Sequence, residues 1–218
     1  MTKEINLTLY RYDISKPPTN WDTDFLSCEY DTEEHGHKNK AELFFFTDSL
    51  DIANDLGKCS AKKHSKPEYF LTTTKTQKLK LIDFSNRFNI YQMLCLLHDL
   101  CIDVLTSDFK TYENNNHFGQ LKNIFEAAEK EADSKKKFDI IKNLKVHSNS
   151  NYEHISLFGQ RLTDFDNGLH FKKLVKEKYS DIDGYLWREF NDNRGFTYCL
   201  FESRKLCHKK TININIES

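Results

Sequence analysis

The stretch Ala41-Glu42-Leu43-Phe44-Phe45-Phe46-Thr47-Asp48-Ser49-Leu50-Asp51-Ile52-Ala53-Asn54-Asp55-Leu56-Gly57 decides the fold. Its first six residues, 41–46, read as a fully buried strand, a short apolar and aromatic run. It passes without a spacer into Thr47-Asp48-Ser49, whose side-chain oxygens suit a helix N-cap. Asp51 stands three residues past Asp48 as in a rough capping box, and Leu50, Ile52, Ala53 and Leu56 offer an apolar helix face. Gly57 is the expected stop. A strand that delivers hydroxyls to a helix N-terminus is also a place where a phosphate or ribose can be held.

Working outward, Ile5–Tyr12 alternate and are rich in β-formers, which predicts a first strand. Residues 13–40 contain Pro17, Pro18, several acids and the run EEHGHKNK, and read as a long loop. Tyr69–Thr73 and Lys78–Phe84 read as two strands joined by TKTQ as a hairpin connection. Residues 87–106 are apolar on nearly every side, which predicts a buried helix. Residues 118–146 read as one or two amphipathic helices whose charge run KEADSKKK is a solvated face or turn, and 147–153 as a polar loop. Leu169–Tyr179 predicts a short helix; Ile182–Trp187, Phe196–Phe201 and Thr211–Ile216 predict strands. Strands at both ends with helices between favour α+β over a doubly wound sheet. The expectation is one domain over 1–218 with a helical insertion at about 87–165.

Bulk properties exclude several classes. A chain of 218 residues with 17 Phe and 10 Tyr can bury about 70% of the surface that its unfolded form exposes, so it needs no staples. A net charge of −1 leaves no electrostatic footprint for nucleic acid. The six cysteines form no CxxC pair and no framework, a pattern of free thiols in a reducing compartment. The N-terminus shows no apolar h-region and no window nears 18 apolar residues, so neither a signal peptide nor a spanning helix is expected. The expected location is the cytoplasm, or a target cell's cytoplasm reached through a dedicated secretion machine.

Chemistry-bearing clusters are few. Cys95, His98 and Cys101 drift around a helix and lack a fourth ligand; a packed core with one satisfied histidine is the better reading. His35 and His37 read as a polar loop, and nothing supports a thiolate–imidazole couple at Cys207-His208. No metal site is expected. GxGxxG, GxxxxGK[ST], GxSxG and HExxH are all absent, which disfavours the nucleotide-cradle, kinase, hydrolase and zinc-protease readings. Arg11, set in Leu9-Tyr10-Arg11-Tyr12, needs a carboxylate or an anionic ligand as partner.

Three separated blocks, about 70 residues in all, resemble the ADP-ribosyltransferase fold in its bacterial and phage toxin-like branches. They are LYRYD with its strand arginine, FFFTDSLDIANDLG as the strand–helix unit, and DIDGYLWREF…GFTYCLFESRKL as the closing (Y/I)DG strand, variable turn and final strand. The resemblance implies α+β architecture with split mixed or antiparallel sheets around a central helical segment. It implies NAD as substrate, cleaved at the nicotinamide–ribose bond without a metal, with ADP-ribose passed to a protein acceptor or to water by a toxin- or effector-type mono-ADP-ribosyltransferase or NAD glycohydrolase.

Carried over by position, Arg11 matches the arginine that contacts the NAD ribose and phosphate. Thr47 and Ser49 match the hydroxyls that shape the nicotinamide pocket, and Tyr185 or another aromatic would stack on nicotinamide. The family's glutamate opening the last block is here Thr197, which offers no negative charge to a developing cation. Either Glu189, at the edge of the variable turn, or Glu202 substitutes, with Glu189 preferred because Glu202 faces the other side of a regular strand. Otherwise the protein binds NAD, ADP-ribose or a protein partner without turnover.

Overall fold

A computed structural model of the chain describes residues 2–17, 43–85, 127, 130–133, 135–136, 159, 162–163, 168–188 and 195–216. Residues 18–40 of the loop expected at 13–40 and the helices expected at 87–106 and over most of 118–146 lie outside the described residues, as does the polar loop 147–153. Residues 127, 130, 135–136, 159 and 162–163 within the expected helical insertion are helical.

The described chain is mixed α+β: one eight-stranded sheet and two helices. The strands are β1 (Thr2–Ile5), β2 (Thr8–Asp13), β3 (Phe44–Thr47), β4 (Glu68–Thr76), β5 (Leu79–Asp83), β6 (Gly184–Arg188), β7 (Phe196–Leu200) and β8 (Leu206–Asn215); the helices are α1 (Leu50–Lys63) and α2 (Leu169–Lys178). The order across the sheet is β1-β5-β6-β7-β3-β2-β4-β8. All pairs are antiparallel except β5–β6.

The expected hairpin at TKTQ is not formed. β4 pairs with β2 and β5 pairs with β1, Thr8 facing Lys75 and Ile5 facing Leu79. Residues 2–13 and 68–83 therefore make one long antiparallel ribbon. It bends where Asn6 and Leu7 meet Thr76, Gln77 and Lys78, an extra residue on one strand as in a β-bulge. Lys78 takes a positive φ of 45° there. The bend is tied by Lys78 N to Asn6 Oδ1 at 2.6 Å and by Leu7 N to Thr76 Oγ1 at 2.8 Å. TKTQ lacks the Gly, Asn or Asp that a two-residue hairpin turn demands, so the chain carries on instead of reversing.

The bend also curls the sheet. One half of the ribbon joins β3 and the other half joins β6, and β7 bridges β6 and β3. The pairings thus return to their start, and the inner face packs Leu9, Phe44, Phe46, Leu81, Tyr198 and Leu200 into one core. The outer face is covered by the helices. α1 lies over β2, β3 and β4, while Phe171 and Val175 of α2 are buried together with Phe84, Tyr185 and Phe201.

Helix α1 starts within the expected cap triplet, capped by Ser49 and not by an Asp48–Asp51 capping box, and ends later. Ser49 is the N-cap, its side chain accepting from Ile52 N. Gly57 does not stop the helix, which runs to Lys63 with His64 as C-cap. A Cβ at Gly57 would sit 2.5 Å from Tyr69 Cδ2, so this glycine serves close helix–sheet approach. The buried face is Ile52, Ala53, Gly57 and Ala61; Leu50 and Leu56, expected on it, are exposed.

Candidate functional site

The three blocks singled out in the sequence come together on adjacent strands, β2, β3, β7 and β6 in that order. Across them Tyr10 pairs with Thr47, Thr47 with Thr197, and Thr197 with Trp187. The middle of the sheet is thus built from residues distant in sequence.

At the β3–α1 junction the hydroxyls are engaged locally. Thr47, buried, accepts from Ser49 N at 3.3 Å, and Ser49 Oγ accepts from Ile52 N at 3.3 Å. Asp48, between them, reads from the sequence as a cap residue, yet it ties this junction to β7. Its Oδ1 accepts from Phe196 N at 3.0 Å and its Oδ2 from the Tyr198 hydroxyl at 3.1 Å. Burial, with the Asp48 charge adding to it, pushes the Tyr198 phenol up. The signal for Asp48 was its place in a cap triplet, but its β7 partner is about 150 residues away.

Arg11 has its carboxylate. Its Nε and Nη2 both donate to Asp13 Oδ1, at 2.9 and 2.8 Å, with side-chain exposures of 15% for Arg11 and 1% for Asp13. The i, i+2 spacing puts both on one face of β2. Asp13 Oδ2 finds no hydrogen-bond partner among the described residues. Burial holds the Asp13 carboxyl above its ordinary range, against the opposing pull of Arg11. Because Tyr10 is the residue paired with Thr47, alternation puts Arg11 and Thr47 on opposite faces of the sheet.

Tyr185 has no exposure. Its ring stacks on Trp187 at 5.7 Å and meets Phe171 at 5.2 Å and Phe84 at 5.7 Å, both edge-on. Its hydroxyl shares a 2.7 Å hydrogen bond with Thr163 Oγ1. Cys199 pairs with it across the strands, and burial pushes that thiol up to about 12 against smaller opposing effects from Tyr185, Lys172 and Thr163. A thiol so placed is a packed apolar group and not a nucleophile.

The acids divide differently. Glu189 lies outside the described residues; Arg188, which precedes it, pairs with Phe196 at the start of β7. Glu202 sits beyond β7 on the surface, bound to Lys176 Nζ at 3.3 Å and Arg204 Nε at 2.7 Å. Asp183 of the Asp-Gly pair is buried, its Oδ2 accepting from Lys80 N at 2.7 Å and Lys205 Nζ at 2.6 Å. A Cβ at Gly184 would overlap the Cys199 carbonyl oxygen, so Asp183-Gly184 lets β6 slot between β5 and β7.

A cleft of about 300 Å³ lies away from these residues, between Asn54, Asp55 and Lys58 of α1 and Tyr69 and Ile214. Among the described residues no group of His, Cys, Asp and Glu is placed to hold a metal ion, and no helix is long and apolar enough to cross a membrane. No family model, curated protein or solved structure matches this chain.

Proposed function

We propose that the chain is a binding module of ADP-ribosyltransferase-like design, taking NAD or ADP-ribose and a protein partner without breaking the nicotinamide–ribose bond. The observation that carries this reading is Thr197, which stands between Thr47 and Trp187 in the sheet at the position where the resembling family has its glutamate. A hydroxyl there lends no charge to an oxocarbenium-like transition state. Two further placements count against the NAD-cleaving geometry that the resemblance implies and leave the ligand to groups other than these two: Asp13 holds the Arg11 guanidinium, and the Tyr185 ring is enclosed by other rings. The three blocks lie on four neighbouring strands, in one sheet and not in the split sheets that the resemblance implies.

A second reading is favoured by Arg188, which pairs with the first residue of the strand carrying Thr197 and brings Glu189 next in the chain. Here the protein is a toxin- or effector-type NAD-cleaving mono-ADP-ribosyltransferase or NAD glycohydrolase, and Glu189 supplies the missing charge as nicotinamide leaves. It would act in its own or a target cell's cytoplasm, on a protein acceptor or water.

Incubation with NAD separates the two. The binding module releases no nicotinamide above the protein-free control, while ADP-ribose raises its melting temperature in a concentration-dependent way. Nicotinamide release that falls about 10²-fold on Glu189→Gln moves the assignment to the second reading. Neither release nor a melting shift rejects both.

A further inference from the structure

Strand β8 ends the sheet. It spans ten residues and, among the described residues, pairs on one side only, with β4. A long edge strand offers a row of backbone donors and acceptors, which proteins ordinarily blunt with charges, prolines, bulges or short length. The half Thr211-Ile212-Asn213-Ile214-Asn215 carries no charge and no proline. Ile212 is 44% exposed. Lys210, Ile212 and Ile214 pair with Thr73, Leu71 and Tyr69 of β4, so they share the sheet face on which Tyr69 meets α1 at Gly57. Beyond α1 this face opens into the cleft that Ile214 helps to line.

We propose that two copies of this chain associate edge to edge through β8, antiparallel about a two-fold axis at Asn213. The strand is self-complementary in that register. Ile212 of each copy falls opposite Ile214 of the other, on one face, which gives two β-branched cross-strand pairs. Thr211 falls opposite Asn215 and Lys210 opposite Ile216. No like charges meet across residues 210–216. A one-residue slip would place the isoleucines opposite polar residues. The joined sheets would shield Ile212 and leave α1 of each copy flanking the seam. An isologous contact of this kind closes on itself and does not propagate into a fibre.

Sedimentation equilibrium on the full chain from about 1 to about 100 μM, a range suited to a modest interface, tests this. The wild type should pass from monomer to dimer across that range. Ile212→Lys, at an exposed position and so with little effect on the circular dichroism spectrum, should weaken association by about tenfold or more. A cross-link reads the register. Under mild oxidation Asn213→Cys should give a covalent dimer above the wild-type background of its own cysteines, because facing Cα atoms lie about 4.5–5.5 Å apart. Thr211→Cys should not, since its counterpart is displaced by four residues, about 13 Å along the strand. A chain monomeric at every concentration overturns the proposal and leaves the edge to a different protein. Association unchanged by Ile212→Lys, or equal cross-linking at 211 and 213, overturns it as well.

Discussion

Replacing Arg11 by methionine separates a structural arginine from a ligand-gripping one. The Asp13 side chain is 1% exposed and Arg11 Nε and Nη2 both reach its Oδ1. Removing the guanidinium leaves a buried carboxylate unpaired, a change that costs about 3 kcal/mol or more. For a chain of 218 residues that corresponds to a fall in melting temperature of about 6–12 °C at pH 7. The loss must depend on pH. Burial already raises the Asp13 carboxyl and Arg11 opposes the rise, so without Arg11 it climbs further above its unfolded value. The folded variant then binds a proton that the unfolded chain does not, and stability is regained as pH falls through that window, by up to about 1.4 kcal/mol per unit. Differential scanning calorimetry at pH 7 and pH 5 should show the variant's deficit shrinking at the lower pH. Arg11→Lys, which keeps the charge and loses the planar fork, should fall between. A deficit below about 1 kcal/mol at pH 7, or one identical at both pH values, refutes the pairing. A weakened ADP-ribose shift without loss of stability would mean that Arg11 serves the ligand instead.

Three further outcomes follow from single contacts. Gly184→Ala forces a methyl into the Cys199 carbonyl on the neighbouring strand and should cost about 3 kcal/mol, at the upper end of overpacking; urea denaturation should show a lower midpoint at an unchanged slope. Asp183→Ala removes the acceptor of Lys80 N and Lys205 Nζ and should cost about 2–3 kcal/mol. Lys205→Met should cost less, because its 32% exposed side chain reaches water, and the double variant should lose less than the sum of the singles. Iodoacetamide at pH 8 should label the exposed Cys59 and spare Cys199, whose thiol is pushed up to about 12; equal labelling at both in the native state would count against the enclosed Tyr185–Thr163–Cys199 cluster.

Some of the signals that shape this chain act over only a few residues. The α1 start was legible because a cap is settled within four residues: Ser49 accepts from Ile52 N. Strands β3, β6 and β7 and helix α2 were legible because short apolar runs and the helical period are read within one window. Even the junction of β3 with α1, which orders the sheet's outer layer, was plain from the residue types alone.

What escaped reading depends on partners far along the chain. TKTQ looks like a turn, but β5 belongs with β1, and a two-residue bend plus a bulge keeps one ribbon going. Gly57 looks like a helix stop until Tyr69 packs against it. Arg11 calls for a carboxylate or an anion as partner; that the partner is Asp13, two residues on, follows from how deeply β2 is buried. The resemblance makes Tyr185 a stacking platform, but the residue is core, and the four rings around it come from α2, β6 and the segments flanking β5 and β7. Residue types and short periods specify elements, because capping and alternation act over a few residues. Pairing, enclosure and the facing of side chains come from contacts that close over tens to hundreds of residues, so the sheet's curl and the fate of each candidate side chain emerged only when the strands met.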